Sequence, residues 1–399
     1  MKKTFIAVSI ICILTIISTY IYNYHIKEEN NTSNEENINI DAYYSELVKT
    51  NNNGIIYSID NNTYTKVGEY KKDIKLYLDK INNEYFQIKG TNYYINYQDV
   101  EKYTEPIQER YKKYLPLGKK IITANEYNLY QDKNSYITLK ESKTFEVIYI
   151  DNNKYYVLFN DILYYILKDN IIKEETITNI VSNTKNIPVL NYHFIYDKDY
   201  EKCNEIICIE KALFETHLKY LKNNNFLTLT MNEFNLWMDG TLNLPEKAVL
   251  ITFDDGALGT NTHLIELLEK YDMNASLFLI TAWWPRSKYE SPNLEIYSHG
   301  HDIHLDNYCK KGPRGYCLTK EELIEDFSLS IPLVDNNLAF CYPFYAYNNT
   351  IIEALKELKF ELAFIGGNKK AKQSDNKYLI PRYIIYYNTD INIFKKIVN

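Results

Sequence analysis

The chain has 399 residues, 45% of them apolar and 24% charged, with a formal net charge of −7. That length predicts two or three globular units with sizeable cores. The acidic balance excludes the basic footprint of a nucleic-acid binder. Lys2 and Lys3 precede an apolar run from about Thr4 to Tyr22, about the 20 residues needed to span a bilayer. Residues 1–22 therefore read as a membrane anchor, with the positive flank cytoplasmic and the rest of the chain outside the cell. A cleaved signal peptide is the alternative, but no small-x-small cleavage site follows the run. Cys12 follows Ile11 rather than a small residue, so it reads as part of the membrane helix and not as a lipid-attachment site. Residues 23–40 are Asn- and Glu-rich without apolar periodicity, which predicts a flexible linker.

Residues 41–182 show short alternating apolar runs between Asn- and Asp-rich turns, the pattern of antiparallel strands. A weak repeat is present. Glu84–Val100 and Lys154–Ile171 each carry an aromatic pair, a turn, then Tyr-Tyr-Ile and an Asp. Two copies fit two small β-barrels rather than a solenoid, and they resemble bacterial SH3-type wall-binding modules. A stalk or packing partner is the alternative. Tyr is so abundant, at 40 residues, that single tyrosines carry little weight as site indicators.

From about residue 183 to 399, strand-like and helix-like runs alternate: PVLNYHF, the helical stretch Glu210–Asn224, FLTLT, AVLITF, HLIELLEKY, ASLFLIT, LEIYSH, LAFCYPF, IIEALKELKF and YLIPRYII. This predicts an α/β fold, a parallel (β/α) barrel or a doubly wound sheet, with chemistry at the C-terminal ends of the strands. Cys203 with Cys208, and Cys309 with Cys317, are close pairs that predict disulfides outside a cell; reduced thiols are the alternative. Neither pair has CxxC spacing. Cys341, in an apolar strand, reads as buried and inert.

The strand Ala248–Phe253 runs into Asp254-Asp255-Gly256. Two carboxylates at the end of a buried strand need a cation or a hydrogen-bond network. Successive strand side chains point to opposite sides, so the two can hold different tasks, one on a metal and one toward substrate. Alone, the motif also fits a surface turn. Three of the seven histidines fall in Ser298–His304, SHGHDIH, directly after another strand. Asp and His are the ligand types of a catalytic zinc.

TFDDG, the histidine cluster, AFCYPFY and the strand PVLNYH together resemble the polysaccharide deacetylases of the NodB-homology type, the family four carbohydrate esterases. The similarity covers about half the chain, and is greatest to the permuted branch that includes the poly-N-acetylglucosamine deacetylases. It implies a distorted (β/α) barrel. It also implies Asp254 as general base, Asp255, His299 and His304 as metal ligands, and His193 as general acid. His301 falls between the two ligands and either faces substrate or replaces one of them. The implied cofactor is a divalent metal, zinc by default, with cobalt or nickel as alternatives.

Amide hydrolysis by such a set would proceed by activated water, with the oxyanion on the metal and on a backbone N–H of the Tyr342–Tyr345 turn. The chain departs from the family at Cys341-Tyr342-Pro343-Phe344-Tyr345, where Arg-Pro-Pro-Tyr-Gly is usual, so the arginine that braces the base is missing. Arg382 is the candidate replacement; an ordinary structural arginine is the alternative. Trp283 and Trp284 can stack on a sugar ring or pack the core. The expected activity is N-deacetylation of N-acetylglucosamine units in cell-wall peptidoglycan. Exported poly-N-acetylglucosamine, O-acetyl polysaccharide and a non-catalytic wall-binding role are the alternatives.

Overall fold

The computed structural model describes residues 46–61, 63–82, 85–107, 109–177, 183–310 and 312–399. The expected anchor at 1–22, the linker at 23–40 and Cys12 lie outside the described residues. Among the described residues no helix is long and apolar enough to cross a membrane.

The chain forms two compact units that interleave along the sequence. One holds residues up to Pro106 with Asn125–Glu141 and Phe159–Ile162; the other holds Ile107–Ala124, Ser142–Leu158 and Leu163–Asn399. The first is built of antiparallel strands in the order Tyr127–Tyr130, Tyr136–Leu139, Thr63–Tyr70, Gly54–Asp60, Tyr93–Asn96, Tyr85–Ile88, Lys75–Asn82, Leu47–Thr50 and Val100–Lys102. Leu76 and Leu78 are buried while Lys75 and Tyr77 are half-buried, the period of a strand with one covered face. The turn Phe159–Ile162 joins this unit through Asn160, whose Nδ2 donates to the carbonyls of Tyr77 and Lys89, each at 2.9 Å. Each copy of the sequence repeat is a pair of adjacent strands, Tyr85–Ile88 with Tyr93–Asn96 and Lys154–Phe159 with Ile162–Leu167.

The second unit centres on a parallel sheet. Its strands are β1 (Val189–Tyr192), β2 (Leu227–Thr228), β3 (Ala248–Asp255), β4 (Ala275–Leu279), β5 (Leu294–Ser298), β6 (Ala339–Cys341), β7 (Leu362–Phe364) and β8 (Tyr383–Ile384). The order is β7-β6-β5-β4-β3-β1-β8, with β2 on β3. Helices α1 (Lys211–Asn223), α2 (Met231–Met238), α3 (Ile265–Tyr271), α4 (Lys320–Val334), α5 (Asn349–Glu357) and α6 (Ile391–Val398) alternate with the strands. The α/β expectation is met, and the sheet curls toward closure. Ile380 bridges Phe364 in parallel, and β8, a few residues on, pairs with Leu190 and Asn191 of β1. One short segment thus joins both edges of the sheet.

Period-2 alternation sorts the side chains of β3. Val249, Ile251 and Phe253 join the cluster that contains Phe214 and Leu218 of α1 and Leu267 and Leu268 of α3. Ala248 and Leu250 face the opposite way, with Phe278, Cys341 and Phe364. Asp254 continues this inner row. Within the same unit the turn Arg110–Tyr114 docks on α2. Arg110 pairs with the buried Glu233 of α2 through Nε at 2.9 Å and Nη2 at 2.6 Å, and the Tyr114 hydroxyl donates to the same carboxylate.

Candidate active site

The site lies where β1, β3, β5 and β6 end. Asp254 is buried, and so is Arg382, from the segment that closes the sheet. Arg382 Nη1 donates to Asp254 Oδ1 and Nη2 to Oδ2, both at 2.8 Å. The guanidinium also reaches Thr252 Oγ1 at 3.1 Å and the Ile365 carbonyl at 3.3 Å. Burial opposes ionisation of Asp254, but the adjacent guanidinium outweighs it and holds the carboxyl at about 2.

Asp255 departs from strand geometry, and this modifies the expectation of opposite faces. Continued alternation would send it toward the helix-packed side. Its backbone instead takes φ 73°, a left-handed conformation uncommon for a non-glycine residue. Gly256, at φ 86°, follows. The turn brings Asp255 Oδ1 to 3.3 Å from His299 Nε2 and 3.2 Å from His304 Nε2.

These three atoms converge without hydrogen bonding, because Asp255 Oδ1 is a buried acceptor with no partner. The His299 Nδ1 lies 2.8 Å from the Cys341 carbonyl. A carbonyl only accepts, so Nδ1 carries a proton, which leaves Nε2 as the ring atom available to a cation. Asp255, His299 and His304 therefore form a group able to hold a metal ion, and the orphaned carboxylate oxygen fits that chemistry.

His193, directly after β1, is 7% exposed and places Nε2 3.8 Å from Asp254 Oδ2. Burial lowers its pKa, against the pull of Asp254 and Asp255. The other candidates divide. Trp283 is exposed, with its ring centroid 5.4 Å from that of His304. Phe344 is also exposed, at 4.3 Å from the same ring. Tyr345 donates its hydroxyl to Asn191 Oδ1 at 2.7 Å, and its ring lies 5.8 Å from the Arg382 guanidinium. His301 has Nδ1 3.0 Å from Thr281 Oγ1 and lies outside the metal group.

Two of the candidates turn inward instead, one into the core and one half-buried against it. Tyr342 is buried among Ile303, Phe340 and Ile351, with its hydroxyl on the Tyr378 carbonyl at 2.9 Å. The ring of Trp284 packs on the cluster beside β3. Each adjacent pair splits because neighbouring residues in an extended or turning segment face different ways.

Some residues at the site carry no sequence signal. Cys341, expected to be inert, has Sγ 3.3 Å from Asp254 Oδ2 and accepts from Arg382 Nη2 at 2.8 Å. Asp326 of α4 accepts the backbone N–H groups of His301 at 2.8 Å and Asp302 at 2.7 Å. Both cysteine pairs are disulfides, Cys203–Cys208 and Cys309–Cys317.

A charge-paired carboxylate beside a group able to bind a cation, at the C-terminal ends of parallel strands, is the site of an enzyme. Residues 241–363 match the polysaccharide deacetylase family model. YxkH of Bacillus subtilis strain 168 is 27% identical over 203 residues, which is 49% of this chain and 70% of that protein. The poly-β-1,6-N-acetyl-D-glucosamine N-deacetylase of Staphylococcus aureus strain NCTC 8325 is 24% identical over 227 residues, covering 49% of this chain and 77% of that one. Among solved structures, IcaB from Ammonifex degensii aligns with a TM-score of 0.46 at 21% identity, over 54% of this chain and 97% of that one. Residues 241–363 thus carry a polysaccharide deacetylase domain, of the enzyme class that hydrolyses carbon–nitrogen bonds other than peptide bonds.

Proposed function

We propose that this protein is an N-deacetylase acting on N-acetylglucosamine units of a glycan outside the cell membrane. The observation that carries this reading is the convergence of the unbonded Asp255 Oδ1 with His299 and His304 Nε2, beside an arginine-held Asp254. Asp255, His299 and His304 are the residues that would hold a divalent cation, and one carboxylate with two imidazoles favours zinc. Bound there, such a cation polarises the acetyl carbonyl and lowers the pKa of water.

The chain's own groups account for the proton transfers. Asp254, kept ionised and oriented by Arg382, takes a proton from the attacking water. His193 gives a proton to the sugar nitrogen as the C–N bond breaks, leaving a free amine and acetate. In the turn Pro343–Tyr345, the N–H groups of Tyr345 and Ala346 are bonded to the carbonyls of Tyr342 and Pro343, and proline has no N–H. The Phe344 N–H is the donor left to face an oxyanion. Trp283 and Phe344 flank His304 and offer exposed rings to a sugar.

The family relatives named for poly-β-1,6-N-acetyl-D-glucosamine support that polymer as the first substrate to test. Peptidoglycan is the second, as the nearest abundant N-acetylglucosamine polymer for an ectodomain anchored by residues 1–22. The test incubates the full chain with each polymer and measures acetate, for wild type, D254N and H299A. Acetate from at least one polymer, lost in both variants, is expected. No acetate from either, with zinc, cobalt and nickel each supplied, would leave a glycan-binding protein without activity.

A further inference from the structure

His304 is held in place differently from His299. The His299 ring is fixed by its Nδ1 on the Cys341 carbonyl, whereas His304 Nδ1 is buried without a partner. With no hydrogen bond at Nδ1, the position of His304 depends on the backbone that carries it and on the Trp283 and Phe344 rings beside it. Asp326 holds that backbone on one side only, at His301 and Asp302. Arg314 holds it on both sides. Its Nη1 donates to the Asp302 carbonyl at 3.0 Å and to Asp302 Oδ2 at 2.6 Å. Its backbone N–H donates to the Leu305 carbonyl at 2.8 Å.

Arg314 in turn sits inside the ring of chain closed by Cys309–Cys317. Within that ring Cys309 and Gly312 exchange N–H to carbonyl bonds at 3.1 and 3.2 Å, and the Cys317 N–H donates to the Arg314 carbonyl at 3.2 Å. These are short-range turns. The disulfide is what limits the conformations open to the segment.

We infer that Arg314 is a positioning residue for His304, and that the Cys309–Cys317 disulfide keeps Arg314 in register, so that the cation affinity of the site depends on this bond. The inference rests on the reading that Asp255, His299 and His304 hold a cation. A ligand that must be ordered at the moment of binding lowers affinity by the cost of ordering it. Partners one contact away from a metal ligand typically change metal affinity by about 10–100-fold.

The test titrates the full chain with Co²⁺ by absorbance and with Zn²⁺ by competition. It compares wild type with C309S/C317S, R314K, D302N and D302N/R314K. C203S/C208S, which opens a different loop, is the control, and circular dichroism monitors the fold. The dissociation constant is expected to rise about tenfold or more in C309S/C317S and in R314K, and to stay at the wild-type value in C203S/C208S. The effects of D302N and R314K are expected to combine to less than their product, because both alter the bond between the guanidinium and Asp302 Oδ2. Wild-type affinity in folded C309S/C317S and R314K overturns the inference. Should C309S/C317S fail to fold, wild-type affinity in R314K alone overturns it. If D255A binds Co²⁺ as the wild type does, the cation reading itself has failed, and the inference falls with it.

Discussion

Arg382 and Asp254 meet as a bidentate pair, with two N–H to O bonds of 2.8 Å between buried side chains. Only a guanidinium supplies that fork. A lysine ammonium would satisfy one carboxylate oxygen and leave the other with Cys341 alone. R382K is therefore expected to slow acetate release at least about tenfold and to lower stability by about 1–3 kcal/mol, the scale of leaving a buried acceptor without its donor. Kinetics and denaturant unfolding on the same preparation check both. An unchanged kcat would remove Arg382 from the chemistry.

Cation removal tests the Asp255 group directly. Dialysis against a chelator is expected to abolish acetate release, and added zinc or cobalt to restore it. D255A, H299A and H304A should each lose at least about a hundredfold in rate, the scale of misplacing a reacting group. Chelator-treated protein with full activity would exclude this reading of the three side chains.

Cys341 lies against both members of the ion pair, with Sγ at 2.8 Å from Arg382 Nη2 and 3.3 Å from Asp254 Oδ2. C341A removes this contact and leaves a small void, at a cost of about 1–3 kcal/mol. C341S keeps an atom that can both donate and accept. Thermal unfolding and acetate release are expected to rank wild type above C341S and C341S above C341A. Equal behaviour of the two variants would reduce Cys341 to packing.

His217 of α1 makes stability depend on pH. It is buried, stacks on Phe394 of α6 with centroids 4.0 Å apart, and has Nδ1 3.1 Å from the Tyr192 hydroxyl and Nε2 3.0 Å from the Thr389 carbonyl. Burial pushes its pKa down to about 4, against about 6.5 in an unfolded chain. Between those values the unfolded state binds more protons, so stability rises with pH. This contribution is complete above about pH 6.5 and falls away toward pH 4, by at most about 3 kcal/mol. Denaturant unfolding at pH 7 and pH 5 should show a larger loss for wild type than for H217Q. A pH dependence identical in both would assign the effect to other groups.

Much of the fold was legible in local pattern. Alternating runs marked the antiparallel strands, and strand-helix alternation marked the parallel sheet, because both periods come from backbone geometry a few residues long. Other features had no local signature. Nothing near Asn160 in the sequence ties it to Tyr77 and Lys89. The φ of Asp255 was not legible either, since the preceding residues of β3 predict continued alternation. Tyr342 and Trp284 looked equivalent to their neighbours until packing placed the first in the core and the second half-buried against it.

By itself the sequence determined the chemistry available at two points, the adjacent aspartates closing one strand and the histidines following another, and with them the resemblance to polysaccharide deacetylases. Those are short-range facts of spacing. The tertiary structure alone decided which distant groups complete the site. Arg382 lies 128 residues from Asp254 and Cys341 lies 87, and each arrives on a different element. They meet because the segment carrying Ile380, Arg382 and β8 joins both edges of the curled sheet. A buried aspartate at that seam requires a cation partner, and closure of the sheet supplies Arg382, which the sequence offered only as one of two readings of that residue.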